Sequence, residues 1–335
     1  GDQTRYMGPV PIVTHVHGAH VDPASDGYPE AWYLPAANNI PYGFQRHGRL
    51  FDDATGQNLG NLGYADFSYR NDQPATTLWY HDHSLGMTRS NVYAGPAGFW
   101  LIRGGKFDGG VDTLTNKKAI LPGPAPRRGQ GVLALNTPGN PVRNAIREIP
   151  IAIQDRSFNT DGSLFYPSNR AFFEGLDQNQ LQIPFAPTSD VAPIWNPEAF
   201  FNAMVVNGVT WPQLDVAQAR YRFRLLNGCN SRFLNLALFV INPDRSRGQE
   251  IPFYQIGAEQ GFLPQVVKIT TNSTDGKALL MGNAERADVI VDFSGLADGT
   301  IVRMVNTGPD GPFNGFPILP DTDTANPDTT GQVMQ

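Results

Sequence analysis

Residues 220–226 read R-Y-R-F-R-L-L and show the strand pattern of this 335-residue chain most clearly. Apolar side chains alternate here with arginines, and successive side chains of a β-strand point to opposite faces of a sheet. The stretch therefore predicts a strand with one apolar face and one solvent-exposed face. The face expected in solvent carries Arg220, Arg222 and Arg224.

Short runs of the same character follow this strand and are separated by Gly, Pro, Asn and Asp. Short, evenly spaced strands indicate a β-sandwich or barrel rather than βαβ units. With 35 Gly and 28 Pro in the chain, long helices are not expected, and the best helical segment follows His83 and closes at Gly95. The predicted fold class is all-β. The further predicted strands are Phe233–Val240, Phe253–Ile256, Val266–Thr270, Asp288–Phe293 and Ile301–Val305.

A Gly- and Pro-rich stretch divides the chain into two parts. It contains G-G-K-F-D-G-G near its start and L-P-G-P-A-P-R-R-G-Q-G further on, which is typical of an interdomain connection. We therefore expect a first domain at 1–103, a linker at 104–147 and a second domain at 148–335. All six histidines precede residue 148, so the second domain can contribute no imidazole to a site.

Composition excludes several classes of partner. The net charge of -6 gives no general attraction to nucleic acid or to anionic membranes. No apolar stretch approaches the length needed to span a bilayer. A single cysteine excludes an intrachain disulfide framework, and the first residues lack the apolar core of a signal peptide, so any export signal would lie outside this sequence.

Four of the six histidines form two His-x-His pairs, in I-V-T-H-V-H-G at 12–18 and T-L-W-Y-H-D-H-S at 77–84. Residues i and i+2 of a strand share a face, so each pair presents two imidazoles side by side. Two such strands brought together would form a four-imidazole cluster from His15, His17, His81 and His83.

The composition of this cluster favours a copper site. No Cys-x-x-Cys, His-Glu-x-x-His or run of carboxylates accompanies the pairs, which argues against structural zinc, a zincin protease or a calcium loop. Copper(II) heads the divalent affinity series, and imidazole is a good ligand for copper. Zinc held by three imidazoles remains chemically possible.

The motifs around these histidines resemble one protein family. H-V-H-G, S-D-G-Y-P-E-A-W, L-W-Y-H-D-H and L-G-M-T-R-S-N-V-Y-A-G are similar to the first domain of bacterial multicopper oxidases, in the branch of spore-coat laccase, bilirubin oxidase and phenoxazinone synthase. The resemblance continues through V-V-N-G-V-T-W-P at 205–212, Y-R-F-R-L-L-N-G-C-N-S-R at 221–232 and A-E-R-A-D-V-I-V-D-F at 284–293. It implies two cupredoxin-like Greek-key barrels and a location outside the cell, in the periplasm or on a spore or cell surface.

The resemblance also implies a role for each paired histidine. His15 would bind the type 2 copper, and His17, His81 and His83 would bind the type 3 pair of a trinuclear cluster that reduces dioxygen to water. Electrons would come from a small-molecule donor such as a phenol, bilirubin, an aminophenol or a metal ion.

Two aspartates near the pairs have different expected roles. Asp26, in S-D-G-Y-P-E, matches an acidic residue near the oxygen path of this branch, where reduction of dioxygen consumes protons. The alternative for Asp26 is a turn residue before Gly27. Asp82 lies between two histidines and should point away from them by strand alternation, which indicates a structural role.

Compared with the family, the sequence is expected to lack a third cupredoxin domain and, at its beginning, several early strands. That third domain would supply the other cluster histidines and the type 1 copper, from the same parent polypeptide or from a separate chain. Cys229 has no histidine near it in sequence and is expected to be a packing or turn residue. The chain alone is therefore expected to be inactive as an oxidase. The competing hypothesis is a non-catalytic copper-binding or scaffold protein with the same fold.

Overall fold

The computed structural model describes residues 9–35, 40, 42–55, 63–104, 111–112, 114–127, 139–167, 177, 198–271, 275–318 and 324–335. Its strands in chain order are β1 (Thr14–His17), β2 (Thr76–Asp82), β3 (Ala97–Ile102), β4 (Val111–Asp112), β5 (Lys117–Lys118), β6 (Glu148–Arg156), β7 (Ala203–Val206), β8 (Val209–Thr210), β9 (Arg220–Asn227), β10 (Leu234–Ile241), β11 (Arg247–Ile251), β12 (Phe253–Ala258), β13 (Gly261–Ile269), β14 (Leu279–Met281), β15 (Arg286–Asp292), β16 (Val302–Asn306) and β17 (Gln332–Met334).

Helices are few and short among the described residues, and this confirms the all-β prediction. The α-helices are α1 (Phe51–Thr55), α2 (Thr88–Tyr93) and α3 (Pro141–Ala145), and two 3-10 helices lie at Pro23–Ser25 and Pro29–Ala31. The helix predicted after His83 is α2, and Gly95 follows it with a φ of +118°, which a glycine adopts without strain. None of the described helices is long and apolar enough to cross a membrane.

The N-terminal unit, which comprises the described residues before the predicted linker, contains a three-stranded antiparallel sheet in the order β1-β2-β3. Strand β2 lies in the centre and pairs with both neighbours along its length. Val16, Leu78 and Ile102 form a small apolar cluster on one side of this sheet. The histidines occupy the other side, because their positions alternate with those of Val16 and Leu78.

The C-terminal unit, from Glu148 onward, is built from two larger sheets. Seven strands run in the order β13-β12-β15-β9-β6-β7-β8, and a five-stranded sheet has the order β11-β10-β16-β17 with β14 paired to β10. All these pairs are antiparallel except β6 with β9. The main core of the protein lies between the two sheets and includes Ile153, Phe223, Leu236, Val289 and Met304.

Of the three arginines on β9 that the sequence placed in solvent, only Arg220 is exposed, and Arg222 and Arg224 are buried. Arg222 and Arg224 are only 4% and 2% exposed, because the N-terminal unit packs across this side of the large sheet. Their charges are balanced inside the protein: Arg222 Nη2 lies 2.5 Å from Asp288 Oδ2, and Arg224 Nε lies 2.5 Å from Glu148 Oε1. Alternation correctly separated an arginine face from an apolar face, but the sequence did not show that the arginine face is covered as well.

Strands β3 and β6 lie on either side of the predicted linker. Strand β3 ends at Ile102 and β6 begins at Glu148. Much of the predicted connection, at 105–110, 113 and 128–138, lies outside the described residues. A direct contact joins the two ends, because Arg103 donates two hydrogen bonds to the Glu148 carboxylate at 3.0 and 2.6 Å.

Candidate metal centre

The register between β1 and β2 brings the two histidine pairs together. His15 lies opposite His81, and His17 lies opposite Trp79. His83 comes one residue after β2 ends, where its backbone N–H donates to the Val13 carbonyl at 2.9 Å and keeps the chain beside β1. All four imidazoles therefore emerge on the same side of the sheet.

The four rings form one compact cluster. Ring centroids are 4.8 Å apart for His15 and His83, 5.3 Å for His15 and His81, and 5.7 Å for His17 and His81. One ring nitrogen from each of His15, His17 and His81 lies within 4.8 Å of the others. His81 is buried and the other three are half-buried, so the cluster is open on one side.

Backbone carbonyls orient three of the rings. The Nδ1–H groups of His15, His81 and His83 donate to the carbonyls of Asp26 (2.5 Å), Asp82 (2.7 Å) and Gly27 (3.0 Å). An imidazole that donates through Nδ1 carries its lone pair on Nε2, which fixes the nitrogen available to a metal ion.

His17 and His81 are held in the neutral form. Burial, together with the charges of Arg286 and the neighbouring imidazoles, lowers the pKa of His17 to about 4. Burial also lowers the pKa of His81 to about 4, against the hydrogen bond that its ring donates to the Asp82 carbonyl. Both rings are thus unprotonated at neutral pH and free to act as ligands.

The spacing of His17 and His81 fits a shared metal ion. His81 Nε2 lies 3.5 Å from His17 Nδ1. Two imidazoles bound to one ion at about 2.0–2.1 Å, with tetrahedral to trigonal angles, place their nitrogens about 3.3–3.6 Å apart. The donor set and the distance therefore both suit a nitrogen-bound metal.

The segment Asp26–Gly27 is a supporting element that the sequence did not reveal. It supplies the carbonyls that orient His15 and His83. Gly27 has a φ of +80°, and a Cβ at this position would lie 2.4 Å from the Thr14 carbonyl oxygen. Only glycine allows this segment to pass so close to β1.

Asp26 also approaches the cluster with its side chain. Its Oδ1 lies 3.4 Å from His15 Nδ1, and the carboxylate is 44% exposed. It is thus in contact with both a cluster histidine and solvent.

Asp82 points away from the imidazoles, in agreement with its expected structural role. Its buried carboxylate accepts hydrogen bonds from the Val13 and Ser84 backbone N–H groups, the Ser84 hydroxyl and the Asn91 amide, at 2.8–3.0 Å. These bonds tie the ends of β1 and β2 to α2.

The remaining histidines and the cysteine lie outside the cluster. His20 contacts Asp72 at 2.7 Å on the surface, and His47 lies 3.0 Å from the Gly48 carbonyl. Cys229 is buried, and burial raises its pKa well above the ordinary value of 9.0. It therefore serves as a packing residue, as expected.

A cavity of about 430 Å³ adjoins the cluster. His17, His81 and His83 form one wall, and the segment from Asn227 to Asn230 of the C-terminal unit forms another. Trp79 also lines this cavity and packs against His81, with ring centroids 4.3 Å apart and ring planes tilted by 37°. The cavity gives the cluster room for more than one ion.

Comparison with known proteins finds relatives that match almost the whole of this chain. No family model matches the sequence. The chain is 32% identical over 314 residues to a laccase from Bacillus stratosphericus, and 31% identical over 326 residues to a laccase from Bacillus subtilis strain 168, covering 94% and 97% of this chain. The chain is a homologue of the multicopper oxidases. It spans about half the length of the curated relatives it matches, 46% for each of the two Bacillus laccases.

Solved multicopper oxidase structures share the fold. The crystal structure of the McoA multicopper oxidase from the hyperthermophile Aquifex aeolicus matches 98% of this chain with a TM-score of 0.56 and 23% identity, and 49% of that chain is covered. The two cupredoxin-like domains expected from the sequence agree with this match. Copper is the metal that the family implies, and the all-imidazole cluster suits it.

Proposed function

We propose that this chain forms part of a laccase-like multicopper oxidase and supplies half of the histidine ligands of its trinuclear copper cluster. The observation that carries the proposal is the convergence of four imidazoles, three of which present a defined nitrogen because a backbone carbonyl fixes the other. The expected donors are diphenols and related compounds, with dioxygen as the acceptor. The division into domains at 1–103 and 148–335, with a linker between them, belongs to the same proposal.

Each histidine has a specific role in this proposal. His17 and His81 would share one type 3 copper, which the 3.5 Å between their facing nitrogens supports. His83 would bind the second type 3 ion and His15 the type 2 ion. Bound copper would supply the one-electron steps that reduce dioxygen to water. The chain itself orients three of the rings, keeps His17 and His81 unprotonated, and packs Trp79 against these two rings.

Asp26 is proposed to transfer protons at this site. Its carboxylate touches His15 and is also open to solvent, so it can exchange protons between the two. In the complete oxidase, Asp26→Asn is expected to slow oxygen consumption by about 100-fold and to change its pH profile, while copper content stays normal. The backbone carbonyl that holds His15 is retained in this variant, so the measurement isolates the carboxylate.

The control for this prediction is Asp72→Asn. Asp72 is also 44% exposed and contacts a histidine, His20, but lies outside the cluster. Its replacement should leave turnover and pH profile unchanged. Equal rates for the Asp26 and Asp72 variants at every pH would show that Asp26 is only a turn residue.

Completion of the cluster is proposed to require a third cupredoxin domain, in the same polypeptide or on a partner chain. Four imidazoles leave the coordination of a trinuclear site incomplete, and the only cysteine, Cys229, is buried in the core of the C-terminal unit, so no type 1 site is expected from this chain. The 335-residue chain should therefore bind copper without intense blue thiolate-to-copper absorption and without oxidising a diphenol.

Oxygen consumption and visible absorption would be measured for the purified chain, before and after a third domain from a related laccase is added. Both signals should appear only in the mixture. A blue and active preparation of these 335 residues alone would contradict the proposal. Copper binding that never yields activity with any third domain would favour the competing hypothesis of a non-catalytic copper-binding scaffold.

A further inference from the structure

Strand β2, which carries His81, is held by the C-terminal unit at Thr77. Arg224 Nη1 donates to Thr77 Oγ1 at 2.8 Å, and Arg286 Nε donates to the Thr77 carbonyl at 3.0 Å. Thr77 is 1% exposed, and the two arginines are 2% and 3% exposed. The C-terminal unit contains no histidine, yet it binds β2, the strand that carries His81 and leads directly to His83.

Burying Arg224 and Arg286 costs free energy of folding, so a contribution to stability alone does not explain them. Removing a guanidinium from water carries a large desolvation penalty, and well-packed apolar side chains often stabilise an interface as well as a buried ion pair does. Arg224 is compensated by Glu148, and Arg286 by the carbonyls of Ala284 (2.8 Å) and Glu259 (3.3 Å). A network of this kind defines one arrangement of the two units more sharply than apolar packing would.

We propose that Arg224 and Arg286 are positioning residues that hold Thr77, and through strand β2 the four-histidine cluster, in the geometry that binds metal. This inference rests on the proposed function. Thr77, Trp79 and His81 lie at successive i+2 positions on one face of β2. Fixing Thr77 therefore fixes the position of His81 along the strand. The position of β1 depends in turn on that of β2, because His17 pairs with Trp79 and His15 with His81.

Arg286 also reaches the end of β1. A Cβ built on Gly18 would lie 3.2 Å from Arg286 Nη2 and 3.0 Å from Gln260 Nε2, so Gly18 permits this close approach. The Gly18 carbonyl accepts a hydrogen bond from Gln260 Nε2 of the C-terminal unit at 3.5 Å. Both histidine-bearing strands thus rest against the same part of the C-terminal unit.

The contact at Thr77 specifies the register of β2 against that unit. A shift of one residue would turn His81 to the other face of the sheet. A shift of two residues would bring either the methyl group of Ala75 or the indole of Trp79 to Arg224, and neither group can accept its hydrogen bond. Only Thr77 satisfies Arg224 while His81 remains in the cluster.

The test uses Thr77→Val in the 335-residue chain, because valine keeps the shape of threonine and removes the hydroxyl. In the metal-free protein at about neutral pH, the imidazole ¹⁵N signals of His17 and His81 are expected to shift, while those of His20 and His47 stay in place. The affinity for Cu(II), titrated by electron paramagnetic resonance, is expected to fall about tenfold. Thr77→Ser, which keeps the hydroxyl, should restore both results.

Thr330→Val is the matched control. Thr330 is 2% exposed and its hydroxyl donates to Asp310 at 2.9 Å, but it lies in the C-terminal unit just before β17, away from the cluster. This variant should lose a similar amount of thermal stability without moving the signals of the four cluster histidines. Arg286→Lys, which keeps the charge but loses the Nε–H donor, provides a second variant and should shift the same signals as Thr77→Val.

Unchanged imidazole signals in both Thr77→Val and Arg286→Lys would overturn the inference. Equal shifts of the cluster imidazole signals in Thr330→Val would also overturn the inference. They would show that loss of a buried hydroxyl loosens the protein in general, rather than that Thr77 positions the cluster. Failure of the wild-type chain to bind Cu(II) would instead refute the proposed function, since the imidazole signals are recorded without metal.

Discussion

Replacing His81 by glutamine is expected to lower the affinity of the chain for Cu(II) by more than about 100-fold while leaving the fold intact. His81 is the most buried ring of the cluster, and its Nε2 faces His17 Nδ1 at 3.5 Å, so its loss removes one of two nitrogens proposed to share an ion. The hydrogen bond from its Nδ1 to the Asp82 carbonyl is also lost, which costs about 1 kcal/mol of stability. Metal titration and thermal unfolding of the metal-free variant measure the two effects separately.

His20→Gln is the control for this prediction. His20 is a surface residue paired with Asp72, outside the cluster. Its replacement should change neither copper affinity nor unfolding by a measurable amount. Wild-type affinity in His81→Gln would exclude this ring from the metal site.

Glu148→Gln is expected to destabilise the protein by about 3–5 kcal/mol, the cost of removing one partner from a buried ion pair. The Glu148 carboxylate is almost fully buried and accepts hydrogen bonds from Arg103 and Arg224. Without its charge, Arg222 and Arg224 would keep only Asp288 as an acidic partner, and Arg103 would lose the charge of its partner Glu148. Chemical denaturation of the wild-type and variant chains measures the difference.

The Glu148 carboxylate should also make the protein less stable in acid. Burial raises the pKa of Glu148, but the hydrogen bond from Arg103 and the charges of Arg224 and Arg222 outweigh it and hold the pKa below its ordinary value of 4.5. The folded state therefore binds this proton less readily than the unfolded state does. The contribution is complete above about pH 4.5 and is lost as the pH falls through the folded-state pKa. Glu148→Gln should lack this part of the pH dependence.

Glu30→Gln is the control for Glu148→Gln. It tests whether the large loss of stability arises from the burial of the ion pair. Glu30 forms a longer and more exposed pair with Arg49 at 3.5 Å, in which the Arg49 and Glu30 side chains are 77% and 32% exposed. Exposed pairs contribute at most about 1 kcal/mol, so this variant should unfold almost as the wild type does. A similar small effect for Glu148→Gln would contradict the importance assigned to the buried network.

The strand alternation and the histidine pairs could be read from the sequence, because both depend on local geometry. The side chains of β9 alternate, and His-x-His places two rings on one face, whatever the rest of the fold does. Motifs around the pairs also pointed to the family that the Bacillus laccases confirm. The four-imidazole cluster was expected, but its carbonyl partners at Asp26 and Gly27 were not, because hydrogen bonds from ring nitrogens to distant backbone leave no pattern in sequence.

The tertiary structure alone decided which faces are covered and how the strands are aligned. Arg222 and Arg224 look like solvent-facing residues until the N-terminal unit packs across them and Glu148 and Asp288 neutralise them. The alignment of His15 with His81 depends on the pairing of strands that are far apart in the chain, which no local preference specifies. Side-chain periodicity is a property of each strand, whereas register and burial arise from contacts between segments that meet only when the whole chain has folded.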